Sequence, residues 1–239
     1  MKYLSIFLFT ILAFSTDPKP ATDSFVMIQL FTSQGCSSCP PADRLVASIQ
    51  EEYKDQNVFV MSYHVDYWDR LGWKDPFSKR AFTEVQYDYA NQFRERRVYT
   101  PQIVVNGKEH FVGSDGYKLR KKIQSYLKKN SANIISIDQK KEGNDVCLTF
   151  KVDGETQGKT LKVAYLLENS VTHVKRGENS NRTLSNSNIV LQETELVLDA
   201  ENKASLKVPV KDFRDKKVSL ISFVQTEQLE ITGVAPLSL

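Results

Sequence analysis

Short apolar runs and segments with helical spacing alternate through the first half of the chain. The apolar runs predict strands, and apolar residues that recur every three or four positions predict helices. The predicted order is strand Phe25–Phe31, helix from Pro40, strand Val58–Val65, helix from Asp75-Pro76, strand Gln102–Val105, strand Glu109–Val112 and helix Tyr117–Lys129. Asn106-Gly107, between the last two strands, is a strong signal for a hairpin turn. This order predicts a mixed sheet with helices packed on it.

From about residue 133 the pattern becomes one of alternating strands separated by turn residues. The predicted strands are Ile134–Asp138, Asp145–Val152, Thr160–Leu167, Ile189–Val197, Ala204–Val210 and Val218–Gln225. Several short strands without a helix signal are typical of a β-sandwich. We therefore expect an α/β domain over residues 25–130 and an all-β, sandwich-like domain over residues 133–239.

The first fifteen residues have the layout of a secretory signal peptide. Lys2 gives a short positive start, an apolar run extends from Tyr3 to Phe14, and Ala13 and Ser15 place small residues before a cleavage site. The run is too short to span a bilayer. We expect a signal peptide over 1–15, a linker over 16–24, and a periplasmic or secreted protein with no stable membrane span after cleavage.

Composition fits this picture and excludes one class of partner. The chain is 41% hydrophobic and 26% charged, as expected for a soluble globular protein. A net charge of +3 is too small to indicate nucleic-acid binding. Neither composition nor pattern indicates an oligomeric state.

The most informative motif is the pair Cys36 and Cys39, which lies between the first predicted strand and the first predicted helix. At a helix N-terminus the exposed N–H groups favour a thiolate, so Cys36 can act as a nucleophile and Cys39 can resolve a mixed disulfide. Together with the element order, this placement predicts a thioredoxin-like domain. The third cysteine, Cys147, falls in an alternating strand, and we expect it to be a buried, inert side chain.

The predicted strand order places other candidate residues beside Cys36 and Cys39. The segment from His64 to Asp66 ends a strand at the edge where Thr100 and Pro101 begin one, so we expect all of them near Cys36. In proteins of this fold a cis proline faces the two cysteines and helps to bind extended thiol substrates, and Pro101 is the matching position. His64 is either a proton relay oriented by Asp66 or a structural group.

Several motifs resemble an uncharacterised family of secreted, thioredoxin-like bacterial proteins, a "domain of unknown function" family. The matching runs are Phe31 to Asp43 (FTSQGCSSCPPAD), His64 to Trp68, Gly72 to Phe77, Tyr99 to Gln102, Phe111 to Asp115, and Arg176 to Asn179 with Arg182 to Leu184. The resemblance implies the fold and export but no reaction. In the family pattern an acid often occupies the position of Gln29, where it could shuttle protons, and Gln29 cannot titrate.

The leading hypothesis is an exported thiol–disulfide oxidoreductase. Cys36 and Cys39 carry the exchange, Thr100 and Pro101 dock a protein or small-molecule thiol partner, and no organic cofactor is needed because the dithiol carries the electrons. One alternative is a protein that handles copper or another soft metal through Cys36, Cys39 and His64. The other is a binding module with a permanent structural disulfide. The Arg176–Leu184 segment either recognises an anionic or peptide partner or holds the two domains together.

Overall fold

The structure is a computed structural model that describes residues 24–209 and 218–238. The predicted signal peptide, 1–15, and all of the predicted linker except Ser24 lie outside the described residues.

The elements of the first half follow the predicted order. They are β1 (Val26–Thr32), α1 (Pro40–Glu52), β2 (Val58–His64), α2 (Arg80–Gln92), β3 (Gln102–Val105), β4 (Glu109–Val112) and α3 (Gly116–Tyr126). Prolines occupy the first two positions of α1, where a missing N–H breaks no helical hydrogen bond. Asp115 caps α3 by accepting a hydrogen bond from the backbone N–H of Lys118.

The second half consists of strands among its described residues. They are β5 (Ile134–Glu142), β6 (Asp145–Asp153), β7 (Lys159–His173), β8 (Thr183–Leu196), β9 (Lys203–Pro209), β10 (Val218–Thr226) and β11 (Ile231–Ser238). The strands β7 and β8 form a long antiparallel hairpin that pairs from Leu161–Leu196 to His173–Thr183. Strand β11 has no counterpart in the sequence-based prediction.

One mixed sheet crosses the whole molecule. Its order is β11-β10-β7-β8-β2-β1-β3-β4, with β1 and β2 parallel and β3 antiparallel to β1. The two halves join where β2 pairs with β8 in parallel, through Ser62 and Ile189. A second sheet, β5-β6-β9, forms a separate layer. The expected sandwich is therefore not built from two sheets of its own, because one of its layers continues the sheet of the first half.

Apolar side chains fill both faces of this sheet. Along β1, alternate residues contribute to different clusters, because successive side chains of a strand point to opposite faces. Val26 packs with residues of α1 and α3, whereas Met27 packs with residues of α2 and the second half. A third cluster lies between the small sheet and the strands β7 and β10. The result is a mixed sheet with helices, followed by a second β-rich region.

Two local predictions are wrong. The second helix begins at Arg80 rather than at Pro76, because Asp75 accepts the backbone N–H of Phe77 and caps a turn ahead of the helix. Cys147 is half-buried rather than buried in the core, and its sulfur lies 3.2 Å from a carboxylate oxygen of Glu142.

Candidate functional site

A disulfide joins Cys36 and Cys39 in the loop between β1 and α1. Cys39 occupies the N-cap position of α1, and its carbonyl accepts the backbone N–H groups of Ala42 and Asp43. Both cysteines are 0% exposed, whereas Ser37 and Ser38 between them are exposed. The motif is therefore at the surface, but its sulfur atoms are not.

Thr100 and Pro101 lie beside the disulfide, and the peptide bond between them is cis, as predicted. The Thr100 carbonyl oxygen lies 3.9 Å from the Cys36 sulfur and 3.4 Å from the Ser38 hydroxyl. The Thr100 hydroxyl accepts a 2.8 Å hydrogen bond from the indole N–H of Trp68. Gly35 keeps this contact tight, because a side chain there would place Cβ 3.1 Å from the Cβ of Trp68.

His64 is held by Asp75, not by Asp66. Its Nδ1 lies 2.7 Å from Asp75 Oδ2, and both residues are buried. Burial alone would lower the pKa of His64, but the Asp75 carboxylate outweighs it and the pKa lies above its usual value. Asp66 instead accepts a 2.6 Å hydrogen bond from Thr83 at the start of α2. The interpretation of Asp66 as the orienting group is therefore wrong.

The second nitrogen of His64 is unusual. Its Nε2 is buried and has no hydrogen-bond partner within residues 24–209 and 218–238. The two interpretations of His64, as a proton relay or as a structural group, both stay predictions.

Asp43, in the first turn of α1, is the buried acid next to the cysteine pair. Burial raises the pKa of Asp43 to about 6, although the charge of nearby His64 and a 3.0 Å hydrogen bond from Thr32 both favour the carboxylate. Asn186 also lies close enough to lower this pKa, but its Nδ2 makes no hydrogen bond of normal geometry. An acid with this pKa can change its protonation state near neutral pH, one helical turn from Cys39.

Gln34 connects these groups to the second half of the chain. Its backbone N–H donates to Asp75 over 2.7 Å, and its side-chain amide donates to Thr172 and Asn186, each over 3.0 Å. Its side-chain oxygen accepts the indole N–H of Trp73 over 3.3 Å. The residue before Gly35 is thus fixed by partners from both halves.

The turn between β7 and β8, residues 174–182, lies against the cysteine loop. The side-chain amide of Asn179 donates to the carbonyls of Gln34 and Cys36, over 2.9 and 2.8 Å. Glu178 accepts the backbone N–H of Ser37 over 3.1 Å. Gly177 is left-handed, with φ of 76°, and a side chain there would approach Trp73 to 3.2 Å. We call residues 174–182 the cover loop.

Gln29 is not part of this arrangement. Its side chain lies in the core, where it accepts a 2.6 Å hydrogen bond from Tyr89 and donates to Tyr63 over 3.4 Å. The side chain at position 29, where an acid could shuttle protons, therefore contacts two tyrosines. The buried acid near the cysteine pair is Asp43.

Other features bear on the alternatives. Within the described ranges, no group of three or more His, Cys, Asp and Glu side chains is arranged to hold a metal ion. In the same ranges, no helix combines the length and the apolar character that crossing a membrane requires.

Sequence reasoning missed the roles of Gln34, Asp75 and Asn179. Each of these three residues lies within a sequence run that resembles the family, and this resemblance was the signal that could have identified them. Gln34 contacts Asp75 across 41 residues of sequence and Asn179 across 145, so spacing alone could not pair them.

One of the comparisons with known proteins shows the family. The sequence profile described as "Protein of unknown function (DUF1223)" matches residues 27–225. Among proteins with curated functions, none matches the chain. The crystal structure of protein AGR_C_4864 from Agrobacterium tumefaciens is similar, with 28% identity, a TM-score of 0.71, and coverage of 91% of this chain and 96% of that one.

Two further solved structures match only part of the chain. A family 56 carbohydrate-binding module that binds β-1,3-glucan is 13% identical, with a TM-score of 0.23 over 44% of this chain and 96% of that one. A hypothetical protein from Pyrococcus horikoshii is 14% identical, with a TM-score of 0.25 over 44% of this chain and 87% of that one. These scores are too low to carry an argument. The match over residues 27–225 shows that the chain belongs to the DUF1223 family.

Proposed function

We propose that this protein is an exported thiol–disulfide oxidoreductase whose Cys36–Cys39 pair exchanges electrons with a protein or small-molecule thiol partner. The observation that carries the proposal is the placement of the disulfide at the start of α1, with the Thr100 carbonyl beside the Cys36 sulfur. Helix N–H groups at that end stabilise a thiolate, which is the reactive form of cysteine.

The proposed exchange has two steps. A partner thiolate attacks the Cys36 sulfur, the Cys36–Cys39 bond breaks, and Cys39 leaves as a thiolate. A second partner thiolate then attacks the mixed disulfide, which releases the oxidised partner and leaves Cys36 and Cys39 reduced. The reverse sequence oxidises this protein and reduces the partner. Thr100 and Pro101 would dock the partner, because the Thr100 carbonyl is the backbone group beside the Cys36 sulfur.

We also propose that the first half is a thioredoxin-like domain. Support comes from the parallel pair β1 and β2, the antiparallel β3 that follows the cis proline, and helices against both faces of the sheet. Export is supported by the leader pattern at residues 1–15 and by the disulfide, since disulfides persist in oxidising compartments.

One observation favours a second candidate function. Both cysteines are 0% exposed, which is the environment of a permanent structural disulfide in a binding module. A buried disulfide of this kind is expected to resist reduction by the glutathione pool.

The reduction potential separates the two candidates. The mature chain carrying Cys147→Ser, which removes the third thiol, is equilibrated in glutathione buffers, trapped with a thiol reagent and analysed by mass. We expect a potential between about −120 and −270 mV, the range of thiol–disulfide catalysts. A value below about −300 mV would identify a structural disulfide and refute the oxidoreductase. The Cys36→Ser, Cys39→Ser double variant in the same background is the blank.

A further inference from the structure

The cysteine loop combines an exposed backbone with inaccessible sulfur. Ser37 and Ser38 face solvent, yet Cys36 and Cys39 are 0% exposed. A disulfide that exchanges with a partner needs an in-line approach to one sulfur. In this structure that approach requires a neighbouring element to move.

The cover loop is the element that holds the cysteine loop from the second half of the chain. Asn179 is itself 0% exposed, and its amide donates to the carbonyls of Gln34 and Cys36 on either side of Gly35. Its side-chain oxygen accepts a 3.0 Å hydrogen bond from Arg182, so the amide is fixed within its own loop as well.

Glu178 makes a second, more exposed attachment. Its carboxylate accepts the N–H of Ser37, and hydrogen bonds from Ser37 lower the pKa of Glu178. This residue is exposed, so water can replace the bond at little cost. The amide of Asn179 is buried, so water cannot replace its two hydrogen bonds while the loop is closed. Breaking these bonds before water enters leaves the carbonyls of Gln34 and Cys36 unpaired.

Hydrogen bonds within the cover loop close it at its base, where the side chain of Val174 is buried. The N–H of Val174 donates to the carbonyl of Arg182, and the N–H of Asn181 donates to the carbonyl of Val174. The side chains of Glu178 and Asn179 join the cover loop to the cysteine loop through hydrogen bonds.

We propose that Asn179 and Glu178 control access to the Cys36–Cys39 disulfide. Asn179 holds the cover loop closed, and Glu178 is the outer contact that an incoming partner displaces first. This inference deepens the proposed function and rests on it for its purpose, but it can be tested without any catalytic assay.

The test is the rate at which a phosphine reduces the disulfide in the native, oxidised protein. Tris(2-carboxyethyl)phosphine attacks one sulfur, the other leaves as a thiolate, and water completes the conversion to phosphine oxide and two thiols. The proteins compared carry Cys147→Ser with Asn179→Ala, with Glu178→Gln, or with no further change. Free thiols are counted by trapping and mass over time.

We expect Asn179→Ala to raise the reduction rate at least about tenfold, because losing hydrogen bonds from a buried amide favours opening by that order. Glu178→Gln should raise it less. The matched control is Ser180→Ala, which removes a bond from the same loop to the carbonyl of Lys175 and leaves the cysteine loop untouched. Its rate should stay within about twofold of the parent, since the bond is exposed.

Equal rates for Asn179→Ala and the parent, with thermal unfolding showing both folded, would overturn the proposal. If Asn179→Ala is too unstable, Asn179→Asp serves instead, because it keeps the acceptor for Arg182 and removes both N–H donors. The outcome is independent of the reduction potential. A reduction potential below about −300 mV, together with faster reduction of Asn179→Ala by phosphine, would refute the oxidoreductase and support the access control. A potential in the range of thiol–disulfide catalysts, together with equal reduction rates, would support the oxidoreductase and refute the access control.

Discussion

Two clusters of buried polar side chains lie on opposite faces of β2, and they are built differently. Tyr63 and His64 are successive residues, so their side chains point to opposite faces of the strand. We call the first the tyrosine cluster, made of Gln29, Tyr63, Tyr89, Glu193 and Gln225. The second is the histidine cluster, made of Gln34, Asp43, His64, Asp75 and Asn186.

The tyrosine cluster is satisfied and favours neutral groups. Tyr63 donates to the carboxylate of Glu193, Tyr89 donates to Gln29, and Gln225 donates to Tyr89 over 3.0 Å. Burial raises the pKa of Glu193 and that of both tyrosines. Its members come from both halves of the chain, so the cluster joins them as a structural element.

The histidine cluster contains the charged pair of His64 and Asp75, and it also contains two buried nitrogen atoms without a hydrogen-bond partner among the described residues. The charge of His64 helps to hold the pKa of Asp75 below its usual value against the effect of burial. The buried His64 Nε2 and Asn186 Nδ2 find no partner in the described part of the chain. The comparison shows that the two unpartnered nitrogen atoms belong to the cluster that includes Asp43, one helical turn from Cys39, whereas hydrogen bonds join the members of the tyrosine cluster to one another.

The largest effect is expected when the histidine cluster loses its carboxylate. Asp75→Ala leaves His64 Nδ1 and the N–H of Gln34 without their acceptor. Removing one partner of a buried charged pair costs about 3–5 kcal/mol of unfolding free energy. Urea unfolding of the oxidised protein at neutral pH measures it.

A surface pair supplies the control for that experiment. Glu51 pairs with Lys54 over 2.7 Å, but both side chains are well exposed, so Glu51→Ala should cost far less unfolding free energy than Asp75→Ala. Similar costs for Asp75→Ala and Glu51→Ala would mean that the His64–Asp75 pair does not organise the site.

A smaller effect should appear as pH dependence from Asp43. Because its folded pKa is about 6 and its ordinary value is 3.8, the folded protein keeps a proton between about pH 4 and 6 that the unfolded chain has released. The contribution of this group to stability therefore falls as pH rises through that window, by about 3 kcal/mol in total.

Asp43→Asn isolates this contribution, because an amide oxygen can still accept the Thr32 hydroxyl. We expect the variant to gain about 2 kcal/mol relative to the parent between pH 4 and pH 7, which is the part of the total that falls in this range, measured by urea unfolding. The exposed Asp88→Asn, on α2, is the matched control for the loss of one carboxylate. A constant difference between Asp43→Asn and the parent across this range would contradict the raised pKa.

The elements with strong periodicity could be predicted from the sequence, and the site only in part. The bounds of β3 and β4 agree with the prediction, and those of β1 differ by one residue at each end, because a buried strand and a hairpin turn are encoded locally. The cis bond at Pro101 was predicted by analogy with proteins of the thioredoxin fold, in which a cis proline faces the two cysteines. The link between the halves did not, because β2 and β8 pair through residues 127 positions apart, Ser62 and Ile189.

The partners of the site residues were the least predictable. Asp66 is two residues from His64 and Asp75 is eleven, yet Asp75 makes the pair, because the loop after β2 folds back on itself. Asn179 is 143 residues from Cys36, and only the tertiary fold brings the amide to the carbonyl. Sequence spacing identifies candidate groups, whereas burial and long-range pairing select among them.

The smallest expected effect tests the tyrosine cluster at the position where the family pattern favours an acid. Gln29→Glu removes the N–H that donates to Tyr63 and places a second carboxyl in the cluster that contains Glu193. We expect a loss of about 2 kcal/mol of unfolding free energy, the cost of an unmet buried hydrogen bond, increasing with pH as the new carboxyl ionises. Gln29→Met is the uncharged control.

The rate of disulfide reduction by phosphine should stay unchanged, because Gln29 contacts the tyrosines and not the cysteine loop. A substantially faster or slower reduction in Gln29→Glu, with the Met variant unchanged, would mean that the two clusters communicate across β2 and that their separation into a reactive and a structural cluster is wrong.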